Sequence, residues 1–159
     1  MYWYFVVLYK YAVFSGRARR KEFWWFFLIH GLIGGVLGVL ALVNEAFGII
    51  DLGYCLVTFL PMLGVYIRRF HDTGRSGWWV GIPVIPLVLV LLVCVPLFLE
   101  EKFDMAWAVF LIGGVGGMLV LLLISFVFLC QDSQTGMNQY GLSPKEEEYK
   151  GLDYSRYYQ

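Results

Sequence analysis

Long uncharged apolar stretches, separated by short charged groups, dominate the pattern of this chain. Residues 24–43 carry no charge, and residues 52–67 are uncharged up to Arg68 and Arg69. A helix crosses a membrane core of about 30 Å with about 20 apolar residues, because each residue rises about 1.5 Å. The second stretch reaches that length only if it begins earlier, which places Asp51 near the membrane interface. The pattern predicts transmembrane helices over residues 24–43, 46–67, 78–99 and 105–130.

The two ends of the chain differ from these stretches. Residues 1–14 are too short to span a membrane and are rich in tyrosine, tryptophan and phenylalanine, which favour the headgroup layer. This segment predicts an interfacial helix. Residues 145–159 are polar and predict a mobile charged tail. We therefore expect an all-α membrane protein, with four transmembrane helices plus a short N-terminal interfacial helix over residues 1–144.

Composition and the distribution of charge support a membrane protein. The chain is 60% hydrophobic and 15% charged, whereas a soluble domain has about 45–50% apolar and about 25% charged residues. Of the 12 lysines and arginines, Lys102 alone lies on the second side of a four-span arrangement. Because basic loops stay inside the cell, this bias predicts a multi-pass protein with both termini in the cytoplasm.

Glycines recur on two of the predicted spans. Small residues four apart let helix backbones approach closely in a membrane. One hypothesis is that the first and fourth spans touch within a monomer, and the other is that one glycine face forms a homodimer. The glycines concerned are Gly31, Gly34, Gly35, Gly38, Gly113 and Gly117.

Two charged segments concentrate arginine at the predicted cytoplasmic ends of the spans. Residues 14–24 read FSGRARRKEFW, and residues 68–79 read RRFHDTGRSGWW, which we expect to be a tight loop. Arginine forks match phosphate bidentately, and a helix N-terminus attracts anions. The segments predict a lipid- or anion-binding site formed by Arg17, Arg19, Arg20, Arg68, Arg69, His71, Asp72, Arg75 and Ser76.

The alternative interpretation of these arginines is structural. In that case they pair with Glu22, Asp72 and Asp132 and fix the topology of the protein. Both interpretations place the arginines in a polar cytoplasmic cap. We expect this cap to include Asp132, Gly136, Asn138 and Gly141.

Three motifs together resemble a known family. FSGRARRKEFWWF, RRFHDTGRSGWW and QTGMNQYG at residues 134–141 are similar to the bacterial inner-membrane family called domain of unknown function 805. The resemblance covers about residues 1–144, although Phe70 and Leu142 replace the leucine and proline usual there. It implies a small multi-span protein of the bacterial cytoplasmic (inner) membrane. The family brings no established activity, so the resemblance assigns no catalytic residues.

The sequence offers little for catalysis. Gly74 to Gly77 superficially resemble the serine motif of rhomboid-type proteases, but those enzymes need a histidine on a later helix and both histidines precede Ser76. The pair His71-Asp72 is too sparse for a metal site, and the cysteines lack metal-type spacing. We expect no enzyme activity, cofactor or metal. His30, inside a span, is a functional candidate by default, although a hydrogen bond near the interface also accounts for it.

The expected function follows from the cap. We expect a non-enzymatic membrane component that binds anionic phospholipid or a partner protein through its arginines. The candidate partners are the lipid bilayer, another protein and, as a homo-oligomer, further copies of this chain. Nucleic acid is not expected, because anionic lipid explains basic residues beside a membrane at about 1 kcal/mol each. The alternative function is a small oligomeric transporter or channel, which needs polar groups at the centre of the membrane.

Overall fold

The computed structural model of the chain describes residues 2–86, 88–89, 92 and 105–146. These residues form helices joined by turns and irregular segments, with one isolated bridge between Asn138 and Gly141. The helices are α1 (Tyr2–Tyr9), α2 (Arg20–Ala41), α3 (Glu45–Asp72) and α4 (Met105–Cys130), with a short 3₁₀ helix at Gly77–Val80. Helices α2, α3 and α4 are each long and apolar enough to cross a membrane.

The predicted all-helical membrane architecture is confirmed in its coarse form. Three of the four predicted spans correspond to α2, α3 and α4. Residues 87, 90–91 and 93–99 of the third predicted span, 78–99, lie outside the described residues, and 84–86, 88–89 and 92 are helical. Because the third span is described only in part, the number of four spans stays a prediction. The predicted tail, residues 145–159, also lies outside the described residues, except for Lys145 and Glu146.

Helix α3 extends farther than the charge pattern predicts. The expected loop at residues 68–79 begins only after Asp72, because Arg68 to Asp72 continue the helix. Charged residues remain helical here because their side chains are buried and paired within the protein instead of facing lipid. The helix ends where the N–H of Thr73 bonds to Phe70, and Gly74 then turns the chain with a φ of 76°.

Helices α2 and α3 form an antiparallel hairpin whose apolar core lies toward one end. Asn44 begins α3 by accepting a hydrogen bond from the N–H of Ala46 at 2.9 Å, which satisfies a free donor of the first turn. The Phe23 ring packs edge-on against Tyr66, with centroids 4.8 Å apart. The buried apolar residues are Tyr4, Val7, Ala18, Phe23, Phe26, Val65, Phe70 and Leu129.

Helix α1 packs lengthwise along the hairpin. Tyr4 stacks on Phe26 with ring centroids 5.2 Å apart, while Lys10 lies 3.9 Å from Glu22. Residue numbers rise from Tyr4 to Lys10 while those of their partners on α2 fall from Phe26 to Glu22, so the two helices are antiparallel. The predicted N-terminal helix therefore exists and is docked on the bundle, and its depth in a membrane stays a prediction.

The glycine faces of α2 and α4 do not meet in the described part of the chain. No atom there lies within 4 Å of a Cβ built at Gly31, Gly35, Gly38, Gly113 or Gly117, and Gly34 faces only Asp51 Oδ1, at 3.8 Å. Helices α2 and α4 instead touch nearer the polar end, where the rings of Trp24 and Phe126 lie 5.7 Å apart. Both glycine hypotheses stay predictions.

We expect Gly64→Leu to undock the segment after α1. A Cβ at Gly64 lies 3.1 Å from the carbonyl oxygen of Val13, so a larger side chain must displace that backbone. Overpacking of this kind costs about 1–3 kcal/mol. Reversible unfolding in mixed micelles measures the loss. Gly53→Leu is the matched control, because no described atom lies within 4 Å of its Cβ; equal losses in both variants contradict this packing.

Candidate functional site

Three segments distant in sequence meet at one end of the helices and form what we call the polar cap, residues 15–22, 68–76 and 131–146. The N–H of Ala18 donates to the carbonyl of Arg68 at 3.0 Å. On the other side, the N–H of Gln134 donates to the carbonyl of Asp72, also at 3.0 Å. The end of α3 therefore joins the segment before α2 to the segment after α4.

The carboxylate of Asp72 is the centre of the polar cap and is fully buried. Arg17 Nε donates to its Oδ1 at 2.9 Å, Arg69 Nη1 donates to Oδ2, and Ser133 Oγ donates to Oδ2 at 2.5 Å. The side chains of Arg17 and Arg69 are at most 1% exposed. Two buried guanidinium groups thus share a single buried carboxylate.

Backbone carbonyls satisfy the remaining donors of these two arginines. Arg17 donates to the carbonyls of Gly136 at 2.9 Å and Gly141 at 3.3 Å, and also to that of Gln134. The φ values of Gly136 and Gly141 are 76° and 126°, a region that favours glycine, so the loop can turn both carbonyls inward. Arg69 donates to the carbonyls of Leu129, Gln131 and Ala18.

A second buried ion pair lies beside this network. Arg68 Nη1 donates to Glu22 Oε1 at 2.6 Å, and both side chains are at most 5% exposed. Arg68 Nε also donates to the carbonyl of Gly64 at 3.3 Å, and its Nη2 has no hydrogen-bond partner among the described residues. This pair fixes the first turn of α2 against the last turns of α3.

The loop after α4 is also held by His71 and Arg75. The His71 ring stacks on Tyr140, with centroids 3.7 Å apart, and its Nδ1 donates to the carbonyl of Gly16 at 3.2 Å. Asn138 Nδ2 donates to the carbonyl of His71 at 2.9 Å. The Arg75 guanidinium lies 3.5 Å from the centroid of the Phe128 ring, a cation–π contact.

The rim of the polar cap is exposed and carries weaker ion pairs. Asp132 lies 3.0 Å from Arg20 and 2.7 Å from Lys145, and these side chains are roughly half exposed. The hydrogen bond from Lys145, followed by one from the N–H of Ser133, lowers the pKa of Asp132. Ser76, also exposed, precedes the 3₁₀ helix and makes no side-chain cap.

A groove runs between α1 and the polar cap, with a volume of about 780 Å³. Its charged side chains are Lys10, just after α1, and Arg17, Arg19 and Glu22 of the polar cap. The lining residues on α1 are aromatic and apolar. The full lining is Tyr2, Trp3, Phe5, Val6, Tyr9, Lys10, Arg17, Arg19, Glu22 and Pro144.

Comparison with known proteins identifies the family. The chain matches the family described as "Protein of unknown function (DUF805)" over residues 11–142. The chain belongs to this family. Among its relatives, inner membrane protein YhaI of Escherichia coli K12 is 37% identical over 91% of this chain and 97% of its own length. Inner membrane protein YhaH of the same strain is 34% identical over 92% of this chain and 99% of its own length. No solved structure matches the chain.

The DUF805 resemblance expected from the sequence is therefore confirmed, and its motifs have a structural counterpart. The motifs beginning at Phe14, Arg68 and Gln134 are the segments whose backbones and side chains interlock in the polar cap. The match and the three apolar helices establish a membrane protein of unknown function.

The predicted site residues divide into a buried and a more exposed set. Arg17, Arg69 and Asp72 meet in one network, and Arg68 pairs with Glu22. Arg19 Nη2 donates to the carbonyl of Pro144 at 2.5 Å. The acids named in the structural interpretation, Glu22, Asp72 and Asp132, all pair with arginines.

Sequence reasoning missed several participants of this site. Lys10 lies within residues 1–14, which predict an interfacial helix, and no pattern in the sequence indicates the groove beside α1. Tyr140 lies inside the QTGMNQYG motif, which marked its segment without indicating its stack on His71. Gln134 begins the same motif, whereas Ser133 lies outside it and has no such signal, because its contact with Asp72 depends on the path of the loop.

We expect Asp72→Asn to destabilise this DUF805 protein by about 3–5 kcal/mol, because it leaves two buried arginines without their counter-charge. The matched control is Asp132→Asn at the exposed rim, where ion pairs contribute about 0–1 kcal/mol. Unfolding of both variants by denaturant in micelles measures the difference. Similar stabilities for the two variants mean that the buried network does not hold the cap.

A second pair of variants tests the loop against Gly74. Both Gly74→Ala and Gly136→Ala place a side chain at a φ of 76°, which costs about 1–2 kcal/mol. Only at Gly74 does the new Cβ also lie 2.6 Å from the Gln134 side chain. We expect Gly74→Ala to be the less stable variant and to increase proteolysis after α4, and the reverse order contradicts this contact.

Proposed function

We propose that this chain is a non-enzymatic component of the bacterial cytoplasmic membrane that binds an anionic phospholipid in the groove beside α1. The observation that carries the proposal is the polarity of this groove, which is cationic at the cap and aromatic along α1. A phospholipid has the same division, with a charged phosphate at one end and acyl chains at the other. The names of the two relatives support the location.

Lys10 is the cation of the groove best placed to meet a phosphate. Its side chain is 40% exposed, and its Nζ lies 3.9 Å from Glu22 Oε1. Arg68 Nη1 approaches the same oxygen to 2.6 Å, so the charge of Glu22 is directed mainly toward Arg68. The Lys10 ammonium therefore retains capacity for a second anion.

The aromatic end of the groove favours a lipid over a soluble anion. Tyr2 and Phe5 are 72% and 62% exposed, and both line the groove. Amphipathic aromatic rings lie stably at the level of the headgroups, while their apolar faces contact acyl chains. A soluble phosphate makes no use of this surface.

The buried arginines have a supporting role in this proposal. Arg17 and Arg69 are occupied by Asp72 and by backbone carbonyls. Of the two, Arg17 lines the groove and forms part of its wall. The excess of basic residues at the cap supports its placement in the cytoplasm, with both termini, where the leaflet is anionic. A protein partner or a small oligomeric transporter remains the alternative from the sequence.

We expect Lys10→Gln to reduce the selective retention of anionic lipid about fivefold, since one lysine near an anionic surface contributes about 1 kcal/mol. The measurement is native mass spectrometry of protein released from nanodiscs containing equal amounts of phosphatidylglycerol and phosphatidylethanolamine. Lys21→Gln is the matched control, because Lys21 is exposed but does not line the groove.

Three outcomes oppose the proposal. Equal retention of the two lipids by the wild type shows that the groove does not select anionic lipid. Equal losses in Lys10→Gln and Lys21→Gln assign the effect to general surface charge. A co-purified protein that is lost in Lys10→Gln, without bound lipid, replaces the lipid with a protein partner.

A further inference from the structure

A chain of three polar side chains lies among the apolar residues of α1, α2 and α3. His30 Nδ1 is 3.0 Å from the hydroxyl of Tyr54, and that hydroxyl is 3.3 Å from the hydroxyl of Tyr4. His30 lies on α2 and Tyr54 on α3, in the two helices that are both long and apolar enough to span a membrane. Histidine at such a position is uncommon and often functional.

The surroundings hold the His30 ring in a fixed orientation. It stacks on Phe26, at a centroid distance of 5.8 Å, and on Tyr54, at 5.1 Å. One turn farther along α2, Gly34 faces the carboxylate of Asp51. In the described part of the chain, the ionisable groups of this region are Tyr4, Tyr54, Asp51 and Cys55, whose sulfur lies 3.9 Å from Asp51.

A tyrosine hydroxyl has one hydrogen to donate and two lone pairs to accept with, so Tyr54 can serve either charge state of His30. When His30 Nδ1 carries no proton, the Tyr54 hydroxyl donates a hydrogen bond to Nδ1 and accepts one from the Tyr4 hydroxyl. When Nδ1 carries a proton, it donates to the Tyr54 oxygen, and Tyr54 donates to Tyr4. Only hydroxyl hydrogens rotate between the two arrangements, so both bonds persist.

We propose that His30, Tyr54 and Tyr4 form an intramembrane proton-binding site, in which His30 Nδ1 takes up one proton and Tyr54 reverses its hydrogen bond. The added proton comes from water, and neither tyrosine loses its own. The Asp51 carboxylate supplies a negative charge one turn from the imidazolium, which favours a charge that is otherwise expensive in apolar surroundings. Because Tyr4 belongs to α1, the docked position of α1 is part of the site.

The experiment is ¹⁵N NMR of histidine-labelled full-length protein in liposomes across a pH series. The chain has only two histidines, so His30→Gln assigns the second ring directly. We expect the wild-type His30 ring to be a single tautomer with bare Nδ1 at high pH. It should become imidazolium as the pH is lowered through the series.

Two variants separate the site from a lone histidine. Tyr54→Phe keeps the stacked ring but removes the hydroxyl, and we expect it to give a mixture of both neutral tautomers and a displaced titration. Tyr4→Phe should retain the tautomer and displace the titration less. Tyr66→Phe, on the same helix but beside Phe23, is the matched control and should behave as the wild type.

Two results overturn the proposal. One is a wild-type His30 ring whose nitrogen shifts do not change over the whole series. The other is a Tyr54→Phe variant with the wild-type tautomer and titration, which leaves His30 without a partner in proton binding. The wild-type titration alone tests whether His30 binds a proton, even if a variant fails to fold. Neither result depends on lipid binding in the groove, so this proposal can fail separately from the proposed function.

Discussion

The polar cap depends on the burial of one carboxylate, Asp72, between two arginines. Removing ions from water costs several kcal/mol each, and a buried ion pair is tolerated only if further hydrogen bonds satisfy its remaining groups. One carboxylate cannot neutralise two guanidinium groups, so the dipoles of backbone carbonyls must do the rest. The loop after α4 supplies them at Gln131, Gln134, Gly136 and Gly141. The path of this loop is therefore a consequence of the buried charge.

The same network places the N-terminal segment. Arg17 reaches Asp72 only if the chain before α2 crosses the end of α3, where Ala18 bonds to the backbone of Arg68. From that crossing the preceding residues run back along the hairpin, with Val13 against Gly64 and Tyr4 against Phe26. The groove and the His30 chain both require this docked α1. Features that look separate along the sequence thus share one structural cause.

The sequence predicts the helices well and the cap only in part. Spans expected at 24–43 and 105–130 are α2 and α4, because the length of an apolar run is a direct physical requirement of a membrane. The acids that pair with arginines were also foreseeable, as opposite charges in adjoining segments. The helical course of Arg68 to Asp72 was not, because a charge pattern does not reveal that charges are buried. The hydrogen bonds from arginines to backbone carbonyls, and the contact between His30 and Tyr54, depend on how the helices and loops are aligned. The types of side chain along the sequence do not indicate them.

The buried network around Asp72 and the groove share one side chain, and this links the fold to the proposed lipid site. Arg17 belongs to the buried network around Asp72, yet it also lines the groove beside Lys10 and Arg19. A rigid guanidinium at the back of the groove adds a positive potential without having to leave its own partners. Under the proposed lipid function, a phosphate in the groove experiences the residual positive charge of two arginines that share one acid. The charge imbalance that shapes the loop after α4 would then also attract the anion to the groove.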